Sequence, residues 1–341
     1  MGARDIEYAE LYVSDKVAAV NYFARSLGFV QVAESANRDK DSVLLRQGGT
    51  QLLVTAGPGT REFLDAHGDG VADIALTCDD VDATVAAGVA VGLQPLDPEF
   101  GNPVLPGFGG VRHTLLPVSP DGGRRLPEGR TWVSASSAPV RRTRRRIGGL
   151  DHVAVCLAAG TLDEYADMYE DVFGLFRYSS EYTELGDQAM DSIVVRSGSY
   201  GVTFTLLAQD PAKMTGQIDA FLDRNSGPGV QHLAFEVDDI VTAVREFQGD
   251  GIEFLSTPGT YYDMLLERLP EMRPEISDLR VAHVLADRDE WGYLLQIFSR
   301  SPYERNTLFF ELIQRRGARG FGGANIRALY EAVERDRMTA L

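Results

Sequence analysis

Gly229-Val-Gln-His232-Leu-Ala-Phe-Glu-Val237 reads as a strand, and an earlier stretch, Gly70-Val-Ala-Asp73-Ile-Ala-Leu, repeats its pattern of glycine, β-branched residue and apolar alternation. The preceding residues also match, Gly68-Asp against Gly227-Pro. A second pair repeats in the same order: Ile6-Glu-Tyr8-Ala-Glu-Leu corresponds to Leu150-Asp-His152-Val-Ala-Val. Self-similarity on this scale marks a chain built from copies of one supersecondary unit. Each copy starts with such a strand, continues into a helix and ends in further strands. The expected fold is therefore α+β, with four βαβββ units whose sheets curl pairwise into two open barrels, closed by a C-terminal lid helix.

Outward from these anchors the units fill in. In the first half, strands are expected at Ile6–Val13, Ser42–Arg46 and Thr50–Thr55, with helical spacing from Lys16 to Leu27 stopped by Gly28. A strand at Val71–Thr77, a helix at Asp79–Ala90 and strands near Leu93–Leu96 and Val111–Leu116 make the second unit. Residues 118–147, rich in Pro, Gly, Ser and Arg, read as a solvated linker between domains at 1–117 and 148–341, and the cluster Arg141–Arg146 belongs to it. In the second half, Thr161 is the expected N-cap of a helix to Phe173, with Glu164 as its capping-box partner. A helix is expected at Asp238–Gln248. Strands are expected at Phe176–Tyr182, Ser192–Arg196, Val202–Leu207, Ile252–Leu255, Val281–Ala286 and Tyr293–Phe298, and last around Glu311 in the stretch Asn306–Gln314.

Composition narrows the function. A chain of 341 residues with net charge −17 has no basic surface for nucleic acid or an anionic membrane. No apolar run is long enough to span a bilayer, and two cysteines, Cys78 and Cys156, cannot make a disulfide framework. Both fit a cytoplasmic enzyme or binding protein, and a homo-oligomer is compatible with them.

The chemistry lies in the second half. His152 and His232 occupy equivalent places on the first strands of two units, where the first half has Tyr8 and Asp73. Glu311 sits within the apolar run Leu308-Phe-Phe-Glu311-Leu-Ile, and a buried lone carboxylate is costly unless it is paired or bound to a metal. Two imidazoles and a carboxylate form the facial triad of non-haem Fe(II) oxygenases, although Zn and Mn also suit these ligand types. The first half lacks the set; Asp73 with His67 is at most a remnant. By strand parity, Phe309 shares a face with Glu311, and Gln296 with Phe298. Ser192, Thr203 and Thr205 lie on strands expected to line the same barrel, so the cavity suits an aromatic ligand with a polar tip. Ile326, Leu329, Tyr330 and Val333 give the final helix an apolar face, and the glycines around Phe321 would let it move as a lid.

Gly229-Val-Gln-His232, Leu295-Gln296-Ile-Phe298, Phe309-Phe-Glu311, Gly320-Phe321-Gly and Asn325-Ile-Arg-Ala-Leu-Tyr-Glu together resemble the motifs of the 4-hydroxyphenylpyruvate dioxygenase and 4-hydroxymandelate synthase family. The likeness spans essentially the whole chain and is densest from Gly149 onward. It implies a vicinal-oxygen-chelate fold and Fe(II) bound by His152, His232 and Glu311. It also implies 4-hydroxyphenylpyruvate and O2 as substrates, with no separate 2-oxo acid, and candidate substrate contacts at Ser192, Thr205, Gln217, Gln231, Gln296, Phe298, Phe321 and Asn325. The dioxygenases release homogentisate; the synthases hydroxylate the benzylic carbon and release 4-hydroxymandelate, a precursor of hydroxyphenylglycine-type building blocks. Dioxygenases usually carry Pro-x-Asn-Glu on the strand after the serine, where this chain has Thr205-Leu-Leu207-Ala. That departure resembles the synthases, and 4-hydroxymandelate is the expected product. Homogentisate is the alternative, and a metal-free binding protein on the same fold is a third reading.

Overall fold

The computed structural model describes residues 2–119, 123–135 and 146–328. In the first half the strands are β1 (Ala3–Tyr12), β2 (Val30–Ala36), β3 (Asp41–Gln47), β4 (Thr50–Ala56), β5 (Gly70–Cys78), β6 (Leu96–Glu99), β7 (Asn102–Pro106), β8 (Arg112–Pro117) and β9 (Val133–Ser134). In the second they are β10 (Ile147–Leu157), β11 (Phe176–Leu185), β12 (Gln188–Arg196), β13 (Thr203–Gln209), β14 (Gly229–Val237), β15 (Leu285–Arg288), β16 (Tyr293–Phe298) and β17 (Phe309–Arg316). The sheet orders are β6-β7-β8-β5-β1-β4-β3-β2-β9 and β11-β12-β13-β10-β14-β17-β16-β15. Without β9, they are the same pattern. The first strands of two units pair antiparallel at the centre, and each also pairs in parallel with the last strand of its own unit. Four βαβββ units in two half-barrels are thus the architecture.

Local chemistry starts the helices. Asp15, Asp80 and Asp239 are extended N-caps whose carboxylates accept from the backbone N–H groups of Ala18, Ala83 and Thr242. The helix Leu162–Phe173 departs from this pattern: the Thr161 hydroxyl donates to Ala158 O, so the expected capping box with Glu164 does not form. Gly174, left-handed, ends that helix. Aromatic side chains join the two halves into one core. Phe23 meets Phe310 and Phe29 meets Phe235 edge to face, and His113 packs against Phe173 and Phe204.

Several expectations need correction. Ile252–Leu255 is not a strand; Phe254 makes a single bridge to Ser299. The run Val281–Ala286 is divided, because the helix Ile276–Ala282 ends at a left-handed His283 before β15 begins. Helices at Arg61–His67, Gln217–Asn225 and Gly259–Arg268 and the strand β2 escaped the periodicity reading. Nor is the Pro- and Arg-rich stretch simply solvated. Within 123–135, β9 extends the first sheet beside β2, and Arg130 is buried against Glu10 at 2.9 Å. Arg146 pairs with Glu246 and Asp250, whereas Arg141–Arg145 lie outside the described residues. The C-terminal helix begins at Gly323 and is described through Ala328, so Leu329, Tyr330 and Val333 also lie outside. No described helix is long and apolar enough to cross a membrane.

Candidate metal centre

Register brings the triad together. His152 lies opposite Ala234, and Ala154 opposite His232, so both imidazoles leave the central strands β10 and β14 on one face. Ala234 pairs with Glu311 and His232 with Phe309, which puts the carboxylate on that face one strand further along. Phe298 pairs with Glu311, and Thr205 with Ala154, so the same face carries both. His152, His232 and Glu311 are all buried, and their ligating atoms lie within 4.8 Å of one another.

The electrostatics of this cluster call for a cation. Glu311 Oε2 is 3.4 Å from His152 Nε2 and 3.2 Å from His232 Nε2, and the two Nε2 atoms are 3.4 Å apart. Each Nδ1 faces a fixed acceptor, Asp151 Oδ1 at 2.8 Å and Gln231 Oε1 at 3.0 Å. With Nδ1–H directed to those acceptors, Nε2 is in each ring the nitrogen turned toward the carboxylate, and it can take a metal once any proton on it has left. Burial works against a charged His152, but Asp151 and Glu311 outweigh it and raise its pKa to about 9. Burial, with His152 alongside, holds His232 below its ordinary value despite Glu311. Burial alone would raise Glu311, yet the two imidazoles keep it below the usual carboxylate range. Two nitrogens and one oxygen converging away from water suit a divalent first-row metal such as Fe(II).

Around the triad, Phe309 stacks on His232 with centroids 5.1 Å apart, and Phe298 meets the same ring edge-on at 5.7 Å. Phe321 meets His152 edge-on at 5.2 Å. The Gln296 amide oxygen accepts from Asn325 Nδ2 at 3.2 Å, and Asn325 Oδ1 accepts from Tyr261 at 2.7 Å and Arg268 at 3.2 Å. Thr205 is buried with no hydrogen-bond partner for its hydroxyl among the described residues. Leu207 packs with Cys156, Ile218 and Phe221. Ser192 shares the face but donates its hydroxyl to Glu181 O. Two expected substrate residues stand apart. Gln217 is exposed at the start of its helix, and the Gln231 amide is used on His232.

Asp151, Arg315, Tyr261 and Arg268 were not singled out from sequence for the site. Asp151 had one available signal, a carboxylate immediately before a ligand histidine. Arg315 follows the last expected strand and carried no signal of its own.

The first half shows what the same scaffold becomes without the ligands. Tyr8 and Asp73 take the histidine positions, and Thr114 the position of Glu311. Thr114 donates to Asp73 from its hydroxyl at 2.5 Å and from its N–H at 3.0 Å. Burial raises Asp73 to about 6 against the pull of Arg112. His67 is no partner for it, since its Nδ1 donates to Asn225 O.

Comparison with known proteins gives the family. Residues 1–116 match the family model "Hydroxyphenylpyruvate dioxygenase, HPPD, N-terminal", and residues 149–297 match the Glyoxalase/Bleomycin resistance protein/Dioxygenase superfamily. A 4-hydroxyphenylpyruvate dioxygenase of Yarrowia lipolytica is 30% identical, covering 98% of this chain and 92% of its own. One from Dictyostelium discoideum is 31% identical, covering 98% of each. The solved structure of a triple mutant of 4-hydroxymandelate synthase from Streptomyces coelicolor is 49% identical, covers 98% of this chain and 99% of its own, and superposes with a TM-score of 0.86. The chain belongs to the 4-hydroxyphenylpyruvate dioxygenase family of the vicinal-oxygen-chelate superfamily, whose members are non-haem iron dioxygenases.

Proposed function

We propose that this enzyme converts 4-hydroxyphenylpyruvate and O2 to 4-hydroxymandelate and CO2, with Fe(II) held by His152, His232 and Glu311. The atoms balance: one oxygen of O2 enters the new carboxylate and the other the benzylic hydroxyl, as CO2 leaves. Iron would supply the common meeting point for the 2-oxo acid and O2. The protein supplies the rest. Phe298, Phe309 and Phe321 wall the triad with aromatic surface, while Gln296 and Asn325 give the cavity fixed polar groups. We take residues 148–341 as the catalytic domain and residues 1–117 as a domain without metal ligands, with 118–147 between them.

The observation carrying the choice of product is the Thr205–Leu207 pair. The Thr205 hydroxyl is buried on the triad's face without a partner among the described residues. An unmade buried hydrogen bond costs about 1–3 kcal/mol, a cost that a substrate oxygen would remove. Leu207 offers no amide and closes an apolar cluster. A ring anchored through Thr205 rather than through an amide two residues on tilts differently, and shifts of about 1 Å decide which carbon reacts. The 49% identity to a 4-hydroxymandelate synthase points the same way. Homogentisate formation is the second reading, favoured by the names of the curated relatives. Aerobic incubation of the iron-loaded protein with 4-hydroxyphenylpyruvate tests the class: equal amounts of O2 consumed and CO2 released, both abolished by chelation, are expected. Stoichiometric binding of the compound without O2 uptake would instead indicate a binding protein.

A further inference from the structure

Arg315, at the end of β17, connects two things that the site needs separately. Its Nε and Nη2 donate in a fork to Asp151 Oδ2 and Oδ1 at 2.6 and 2.8 Å, and Asp151 Oδ1 also accepts from His152 Nδ1 at 2.8 Å. Its Nη1 donates to Gly320 O at 2.7 Å and Ala318 O at 3.3 Å, in the loop that leads into the lid helix. The guanidinium also lies 4.9 Å from the centre of the Phe321 ring, whose edge returns to His152. The circuit is closed: His152, Asp151, Arg315, the 318–321 loop, Phe321 and His152 again. The Asp151 and Arg315 side chains are largely withdrawn from water, at 7% and 15% exposure, so the pair is only weakly screened.

We propose that Arg315 is a positioning residue that couples the seating of the Phe321 loop to the aim of His152 Nε2, so that lid closure and metal affinity form one equilibrium. This rests on the reading of the triad as a metal site. A guanidinium can hold a carboxylate by two parallel bonds while a third arm binds two carbonyls; an ammonium has no such fixed fork. With the loop unseated, Arg315 loses its carbonyl acceptors and the face of Phe321, so the fork that fixes the rotation of Asp151 about His152 is no longer anchored from behind. Groups that orient a ligand histidine commonly govern metal affinity by about 10–100-fold. Linkage makes the effect reciprocal: if the seated loop favours metal, metal favours the seated loop by the same factor.

The test uses Co(II) as the probe on the full chain, with two readouts: binding affinity, and amide hydrogen exchange over residues 317–325 with and without metal. In the wild type, Co(II) is expected to slow exchange across this segment. Arg315→Lys is expected to bind Co(II) about 10–100-fold more weakly, with exchange in the segment no longer responding to metal. Asp151→Asn keeps an oxygen for His152 but removes the charge that holds Arg315, and should behave alike; it serves if the lysine variant folds poorly. Variants with wild-type affinity, or with metal-dependent protection of 317–325 intact, would overturn the coupling while leaving the metal site standing. Failure of the wild type to bind Co(II) or Fe(II) would overturn both.

Discussion

Gly322 lies against Gln296 so closely that a Cβ at Gly322 would overlap the Gln296 amide oxygen, and its φ of +77° is itself unfavourable for any other residue. Gln296 cannot easily yield, being buried and bonded to Asn325. Gly323 is placed likewise against the Glu181 carboxylate on the other flank of the half-barrel. The lid thus crosses from β16 to β11, and at Gly322 only glycine fits, whereas the exposed Glu181 side chain can swing away from Gly323. Gly322→Ala is expected to unseat it and lower kcat/KM by about tenfold or more, from a left-handed backbone cost of roughly 1–2 kcal/mol plus the clash. Steady-state kinetics with a melting curve as control check this. An unchanged kcat/KM would mean the lid does not seat in turnover.

Glu311→Ala removes one of the three atoms of the buried cluster that could hold a metal ion. Turnover should fall to background and iron should no longer be retained through desalting. The fold should persist, because a buried carboxylate is itself an expensive group. Iron content and circular dichroism measure the two halves of this expectation; full activity in the variant would remove the metal assignment.

Thr205→Val preserves shape and deletes the unpartnered hydroxyl. The free protein should be as stable as before, or more stable by about 1 kcal/mol, while KM for 4-hydroxyphenylpyruvate rises about tenfold, the equivalent of one hydrogen bond. Leu207→Asn, which restores an amide at the divergent place, should move the product mixture toward homogentisate. Chromatography of the products reads this directly, and an unshifted mixture would free Leu207 of any role in the outcome.

His113 links the two halves. Its Nδ1 donates to Ile74 O, and its Nε2 accepts from the Tyr169 hydroxyl, both at 2.9 Å. Burial depresses its pKa from 6.5 to about 4, against the backbone bond to Ile74. The unfolded chain therefore takes up this proton more readily than the folded one. Its contribution is fully present above pH 6.5 and is withdrawn as pH falls toward 4, to a total on the order of 3 kcal/mol. Urea denaturation at pH 7 and pH 5 should show the loss, and His113→Phe should flatten it.

Arg130→Met would strand Glu10, which is fully buried and otherwise paired through Arg130 and Thr55. A loss of about 3–5 kcal/mol is expected, and replacing Glu10 by an apolar residue in the same chain should recover most of it. Thermal melts of the single and double variants decide.

The fold was legible because its signal is repetition: the paired strands at Ile6 and Leu150, and at Gly70 and Gly229, recur as the central strands of both sheets. The two histidines were legible for the same reason, since equivalent positions on equivalent strands face one way, and Glu311 was legible as a carboxylate set in an apolar run. What escaped depends on long-range partners. Nothing in the Pro- and Arg-rich stretch announces that Arg130 fills the concave face of the first half, because the signal is Glu10, far away in the chain. Gln231 looked like a cavity residue, but strand neighbours point apart, and its amide reaches His232 instead. The Val281–Ala286 run looked like one strand because its apolar residues suit helix and strand alike; His283 divides it.

The most direct test is the identity of the product formed from 4-hydroxyphenylpyruvate by the iron(II)-loaded wild-type protein in air, established by nuclear magnetic resonance and mass spectrometry against both standards. 4-Hydroxymandelate as the main product is the predicted result. Homogentisate as the main product would contradict the account at Thr205 and Leu207 while leaving the triad in place.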